Sequence, residues 1–368
     1  MRPVRWVTEL GSFGRPRVMD IEKSVREEIE DVSMGRPHVV VLGAGASRAA
    51  FPRGERNGKR LPVMADFFET APIASALGRA GLAYSGRNFE EVYSELARTP
   101  GSAETRTALE DAVFAYFSSL DLPDEPTIFD HLILSLRPKD VIATFNWDPF
   151  HIKAARRNGH LGGVLRLLFL HGNVLAGHCA HDRVHGVLGA MCSRCGQQFS
   201  PVPLLYPVAE KDYETDPAIH SAWQAARHAF KNAFMVTFFG YGAPVSDGTA
   251  VELLRDAWGG WQQRDLEQIE FIDVRQEDDL LDKWRLFIHT HHYEVHADFY
   301  DSWLAHHPRR TGEAYISQYL DARIIEYNPL PRTAGFEGLW AWFQPLVAAE
   351  ARAREAEERN RHASGLDK

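Results

Sequence analysis

A chain of 368 residues has room for one large α/β domain or two smaller ones, with ample apolar material for a core. Its formal charge of -9 argues against a general nucleic-acid-binding surface, and no apolar run reaches the ~18 residues of a membrane span. Three cysteines argue against a disulfide scaffold, and the opening MRPVRWVTELGSFGRP lacks the apolar centre of a signal peptide, so the expected compartment is the cytoplasm.

Residues 1–37 form an N-terminal extension in which only Ile21–Val32 has the spacing of a short amphipathic helix. The stretch around which the rest is organised follows: His38–Ser47, HVVVLGAGAS. Its valines and leucine predict a buried strand, and Gly43-Ala44-Gly45-Ala46-Ser47 predicts a tight exit. Glycines let a backbone approach a ligand closely, and free N–H groups at such a turn face a phosphate; an ordinary tight turn is the alternative. Arg48–Lys59, rich in Gly, Pro and Arg, reads as a ligand-covering flap or a surface loop. Residues 64–120 read as a helical insertion, divided at Pro100-Gly101 and ended by Leu122-Pro123.

A second strand is predicted at Val141–Phe145 and ends in Asn146-Trp147-Asp148-Pro149, where Asn146 and Asp148 are either site residues or helix caps. A third, Leu165–Leu170, runs into His171-Gly172-Asn173. In an open parallel sheet these exits share one edge, and ligands sit in the crevice there. The next stretch holds all three cysteines. Cys192-Ser193-Arg194-Cys195 is a knuckle of the spacing that suits tetrahedral zinc, with Cys179 as third ligand and His181 as the fourth, Asp182 or His178 being its substitutes. A knuckle that has lost its metal is the alternative.

Further on, Pro217–Asn232 predicts a helix and Ala233–Phe239 a fourth strand, leaving through Gly240-Tyr241-Gly242 to Ser246-Asp247, the predicted N-cap of a helix over Gly248–Trp258. The fifth strand, Ile269–Val274, carries Asp273 near its end, where acidic residues hold ribose hydroxyls. The histidines at 289, 291, 292, 296, 306 and 307 are irregularly spaced and read as core-edge and surface residues. Ala322–Tyr327 is the expected sixth strand, Phe336–Ala349 a final helix, and 350–368 a charged helical tail. The predicted architecture is an α/β, doubly wound, mostly parallel Rossmann-like sheet over 38–349, with insertions at 64–120 and 178–200.

The ordered set GAGAS, FNWD, HG, cysteine knuckle and GYGxPxSD resembles the sirtuin (SIR2) superfamily, most of all its bacterial branch associated with anti-phage defence. The resemblance covers about residues 38–275. It implies a sirtuin-like domain in which Gly43, Ala44, Gly45 and Ser47 hold the pyrophosphate of NAD, the substrate. Asn146 and Asp148 then surround the nicotinamide and its ribose, His171 is the base, and Gly240, Gly242, Ser246 and Asp247 line the adenosine side, while the cysteines hold structural zinc. Three departures stand out: Phe51-Pro52-Arg53 replaces the Pro-Asp-Phe-Arg element of the deacylating enzymes, Pro201–Tyr206 replaces the segment that seats acyl-lysine, and the knuckle has three cysteines instead of four. The resemblance thus implies hydrolysis of NAD by a regulated defence effector, a homo-oligomer or one working with an ATPase, Argonaute-like or sensor subunit. A protein deacylase or ADP-ribosyltransferase, and a non-catalytic NAD or ADP-ribose sensor, are the other readings.

Overall fold

A computed structural model describes residues 21–77, 83–161, 163–208, 211–264, 266–285, 287–288 and 292–363. The first twenty residues of the expected extension, the last five of the tail, and His289 and His291 lie outside them.

Six parallel strands form the central sheet: β1 (His38–Leu42), β2 (Val141–Thr144), β3 (Arg166–Phe169), β4 (Met235–Phe239), β5 (Gln268–Ile272) and β6 (Tyr293–His296), in spatial order β6-β5-β4-β1-β2-β3. The strand order reverses at β1, and such a switch point opens a crevice at the carboxyl ends. Side chains alternate between faces, so β1 serves two cores. Val39 and Val41 pack with helices Pro217–Asn232 and Gly248–Trp258; Val40 and Leu42 pack with helices Phe89–Arg98, Ala103–Ser118 and Ile128–Leu134. Burial on both faces explains why β1 and β4 are continuous apolar runs. The helices predicted over Pro217–Asn232 and Gly248–Trp258 form over those residues. Asp216 accepts from the N–H groups of Ala218 and Ile219, and Pro217 occupies the first turn.

Two expectations need correction. The sixth strand is Tyr293–His296, whereas Ile324–Ile325 pairs with Glu22–Lys23 in a separate two-stranded ribbon. β6 is polar because it is an edge strand whose His296 lies 3.4 Å from both Glu270 and Glu294. Burial opposes charge on that imidazole, but the two carboxylates push its pKa up to about 10.

The segment 48–60 is not a loose flap. Glu55, 4% exposed, accepts from the backbone N–H groups of Asn57, Lys59 and Asp121 and pins it to the helical layer.

The helical tail expected after residue 349 continues the final helix, and the described residues before β1 are anchored to the domain. Helix Val25–Glu30 is anchored by Arg310, which donates to the Ile29 carbonyl, and helix Phe336–Ala363 runs unbroken through residue 350. There Glu350 accepts from both Arg309 and Arg310, the latter fully buried, which satisfies two guanidinium groups with one carboxylate. Among the described residues, no helix is long and apolar enough to cross a membrane.

Burial also sets a pH dependence. It pushes the pKa values of His38, His131 and His171 down to about 4 and that of His151 to about 3. These groups stay neutral in the folded chain while their unfolded counterparts take protons below pH ~6.5. Their contribution to stability is therefore whole above pH ~6.5 and lost as pH falls toward 4. Asp148, raised by burial to about 6, and Glu313, also raised by burial, act in the opposite sense, but burial lowers His185 and His306 too, so the histidines prevail. The expected result is a melting temperature that falls steadily from pH 6.5 to 4. A His151→Leu variant should show a shallower fall; an unchanged slope would remove His151 from the acid response.

Candidate active site

The exits of β1 to β4 continue the sheet register for one more residue. Gly43 N–H donates to the Phe239 carbonyl (3.1 Å), Phe145 N–H to Leu42 (2.9 Å) and Leu170 N–H to Thr144 (2.9 Å). The polar residues that follow are thereby brought to one edge. Asn146 Nδ2 donates to the Gly43 carbonyl (2.9 Å) and to Ser47 Oγ (3.0 Å), and Ser47 Oγ donates to Asp148 Oδ2 (2.6 Å). Ser47, Asn146 and Asp148 thus form one hydrogen-bonded chain, with exposures of 2%, 6% and 2%. Asp148 also accepts from Phe150 N–H at 3.4 Å, a weak capping contact, while its other oxygen is spent on Ser47. One side chain thus both accepts from the first turn of the following helix and ends the buried Ser47–Asn146–Asp148 chain.

His171 stands on the neighbouring exit, its ring edge-on to Phe145 at 4.7 Å between centroids. Its Nε2 faces the Tyr213 hydroxyl at 3.4 Å and Asp247 Oδ1 at 3.9 Å. Burial lowers its pKa to about 4, opposed by Asp247 and reinforced by Lys211. At neutral pH the imidazole is thus a neutral proton acceptor, although its pKa is well below the ordinary histidine value that the sequence suggested.

The glycines serve a purpose other than the expected one. The N–H groups of Gly43 and Gly45 donate to the Phe239 and Gly240 carbonyls, so neither is free to face a phosphate. A Cβ on Gly43 would lie 2.5 Å from Tyr241 Cα, one on Gly45 2.8 Å from Gly240 Cα, and one on Gly240 2.2 Å from the Ala46 nitrogen. The two glycine loops, one behind β1 and one behind β4, therefore zip together main chain to main chain. Gly172, at φ 77°, plays a similar part, for its Cβ would meet the Pro203 carbonyl at 2.0 Å. Leu205 N–H donates to the His171 carbonyl (2.9 Å), which lays residues 203–205 directly against His171-Gly172.

On the far side, Asp247 does not cap the helix it precedes, because its carboxylate turns into the site. It accepts from Lys211 Nζ (2.5 Å) and from the Tyr241 hydroxyl (2.9 Å). Ser246 N–H donates to Glu90 Oε1 (2.8 Å). Asp273 is already held by Arg275, through Nε at 2.9 Å and Nη2 at 2.7 Å. A carboxylate so engaged is not the free ribose ligand expected. Gly242 keeps an open face, with only Arg275 Nη1 4.0 Å from a would-be Cβ. Beside the site a cleft of about 240 Å³ opens, lined by Tyr93, Glu110, Leu204, Tyr206, Lys211 and Asp212.

Sequence reasoning missed Lys211, Tyr213, Tyr241 and Asn173. Asn173 Nδ2 donates to the Asp148 carbonyl (2.5 Å) and fixes the β2 exit. Asn173 and Tyr241 carried a signal, since they belong to the same exits as His171 and as Gly240 and Gly242; Lys211 and Tyr213 lie in an unpatterned loop.

In the knuckle, Cys179, Asp182, Cys192 and Cys195 place their donor atoms within 4.8 Å of one another. Cys179 Sγ is 3.5 Å from Cys195 Sγ and 3.8 Å from Asp182 Oδ2, which is 3.1 Å from Cys192 Sγ. A tetrahedron with ~2.3 Å Zn–S bonds has edges of about 3.8 Å, so three thiolates and one carboxylate fit the ion. His181 is not the fourth donor: it is 65% exposed and points Nδ1 at Asp182 Oδ1 (3.1 Å). Asp182 takes the place, because the turn after Cys179 presents residue 182 to the sulfurs and residue 181 to solvent.

Fold and site together define an open parallel α/β protein with a buried Ser-Asn-Asp chain and a neutral histidine at its switch point. No protein-family model matches the chain, and no curated protein matches it. Among solved structures it is similar to one described as the structural basis for the mechanism and regulation of Sir2 enzymes, at 15% identity and TM-score 0.39, over 81% of this chain and 98% of that one. It is also similar to a Sir2 homologue mutant in complex with ADP-ribose, at 14% identity and TM-score 0.34, over 81% and 98% of the two chains. A Sir2 homologue in complex with NAD is matched at 14% identity and TM-score 0.31, over 81% and 93%.

Proposed function

We propose that this protein cleaves the bond between nicotinamide and ribose in NAD, with water as acceptor, yielding nicotinamide and ADP-ribose. The observation that carries the reading is the convergence of Ser47, Asn146, Asp148 and His171, from three consecutive strand exits, on one buried edge. Breaking an N-glycosidic bond builds positive, oxocarbenium-like charge on the sugar. Asp148 orients the nicotinamide amide or, when ionised, favours that charge. Asn146, locked by two hydrogen bonds, directs its amide dipole at the incoming nucleophile. The neutral His171 accepts a proton from a ribose hydroxyl or from water.

Water is favoured over a lysine side chain as acceptor by the packing of Pro203–Leu205 against His171-Gly172, where an acyl-lysine would need room. Zinc at Cys179, Asp182, Cys192 and Cys195 supplies structure here: it would tie the three-stranded knuckle together, far from any proton-transfer role. In this proposal the protein is a regulated effector of anti-phage defence, a homo-oligomer or the partner of a second defence protein, since unchecked NAD cleavage would deplete its own cell.

Purified protein incubated with NAD alone should release nicotinamide and ADP-ribose in equal amounts. Turnover that appears only with an acylated or acceptor protein would replace hydrolysis by deacylation or ADP-ribosyl transfer. Binding without turnover, also in the presence of plausible partner proteins, would make the chain a sensor. Metal analysis should return one zinc per chain, and Cys192→Ser should lose it together with protease resistance of the knuckle; a folded wild-type protein free of zinc would refute the assignment.

A further inference from the structure

Lys211 is a buried charge at the edge of this site. Its side chain is 2% exposed, and a lysine is almost never buried unless it is paired. Its Nζ donates to Asp247 Oδ1 (2.5 Å), to the Ser246 carbonyl (2.8 Å) and to Ser246 Oγ (3.3 Å), so all three partners belong to one dipeptide. Asp247 is gripped from its other oxygen by the Tyr241 hydroxyl (2.9 Å). The carboxylate so held stands 3.9 Å from His171 Nε2, too far for a hydrogen bond and close enough for a strong field.

We propose that Lys211 is a positioning residue of this site, which clamps Asp247 just out of hydrogen-bonding reach of His171 and so keeps the imidazole free to accept a proton. This rests on the reading of His171 as the base. Among the described residues, few groups face the imidazole. They are the Tyr213 hydroxyl from the same loop as Lys211, the Phe145 ring from the β2 exit, Asp247 from the turn after β4, and Lys211 behind it. Lys211 and Asp247 act on His171 in opposite directions, the ammonium disfavouring and the carboxylate favouring its charged form. When the imidazole does take a proton, the same carboxylate lies in position to stabilise it, the logic by which a buried aspartate supports a catalytic histidine. Without Lys211, an unpaired buried carboxylate would swing onto Nε2, and the histidine would hold its proton at neutral pH.

The test is the titration of His171 itself, followed by NMR in histidine-labelled protein without any dinucleotide and assigned by loss of its signal in His171→Gln. In Lys211→Met the midpoint should rise by more than one pH unit, and Lys211→Arg should stay within about half a unit of wild type. The double variant Lys211→Met/Asp247→Asn should return to the wild-type midpoint or below it. Should Lys211→Met not fold, Asp247→Asn alone decides, and is expected to lower the midpoint. A His171 midpoint unmoved in folded Lys211→Met, or unmoved in Asp247→Asn, overturns the proposal. Because no NAD is present, a protein that fails to cleave NAD would refute the reaction and leave this result standing.

Discussion

Replacing His171 with alanine is expected to cut nicotinamide release by roughly 100-fold or more, the usual worth of a positioned general base, while leaving the protein folded. The fold should survive because the imidazole contributes little to it. Its polar contacts are a long 3.4 Å approach to Tyr213 and a 3.9 Å approach to Asp247, and its neighbours Phe145 and Tyr241 stack on each other at 4.2 Å without it. Asn146→Ala should lose activity to a similar degree, but it also strips a donor from the Gly43 carbonyl and from Ser47 Oγ, so some stability goes with it. His171→Ala is therefore the cleaner experiment. A folded His171→Ala protein with wild-type release of nicotinamide would take His171 out of the chemistry.

Gly240→Ala is expected to destabilise the protein by roughly 2–5 kcal/mol, a large share of an ordinary domain's stability. Two costs add. The residue sits at φ 60°, where an L side chain is strained, and its Cβ would lie 2.2 Å from the Ala46 nitrogen and 2.4 Å from the Gly45 carbonyl carbon. Those are backbone atoms on the neighbouring loop, so no rotamer change relieves the clash. Gly35→Ala is the control, since nothing lies within 4 Å of the position its Cβ would take. Urea unfolding of the two variants measures the contrast. A Gly240→Ala protein as stable as wild type would mean that the two glycine loops part easily.

Much of this arrangement was legible in the sequence, and the reasons are local. β1 and β4 are buried on both faces, so their apolar runs need no partner information to be seen. Helix Pro217–Asn232 announces itself by its own cap, Asp216 before Pro217. The convergence of Asn146, Asp148 and His171 follows from the parallel sheet alone, because parallel strands deliver their exits to the same edge.

What escaped depends on partners distant in sequence. Tyr293–His296 does not look like a strand, since its His296 is balanced by Glu270 on the adjacent strand and by Glu294 two residues before it. Glu55 turns a polar loop into a fixed one through a bond to residue 121 that no pattern in 48–60 encodes. Gly43 and Gly45 were visible as glycines, but their purpose became clear only with Gly240 packed against them. His181 and Asp182 are adjacent and both can bind zinc; the direction of one turn chooses between them.

The zip of Gly43 and Gly45 onto Gly240 has one further consequence, for how such a site can change. That wall of the crevice is peptide backbone on both sides, so exchange of side chains there can break the wall but cannot retune it. On the proposed function, discrimination between ligands falls to the other walls, at Leu204, Tyr206 and Lys211 and around Arg275, where side chains reach the crevice without carrying the sheet. Divergence and engineering alike have latitude in those two loops and almost none in the glycines.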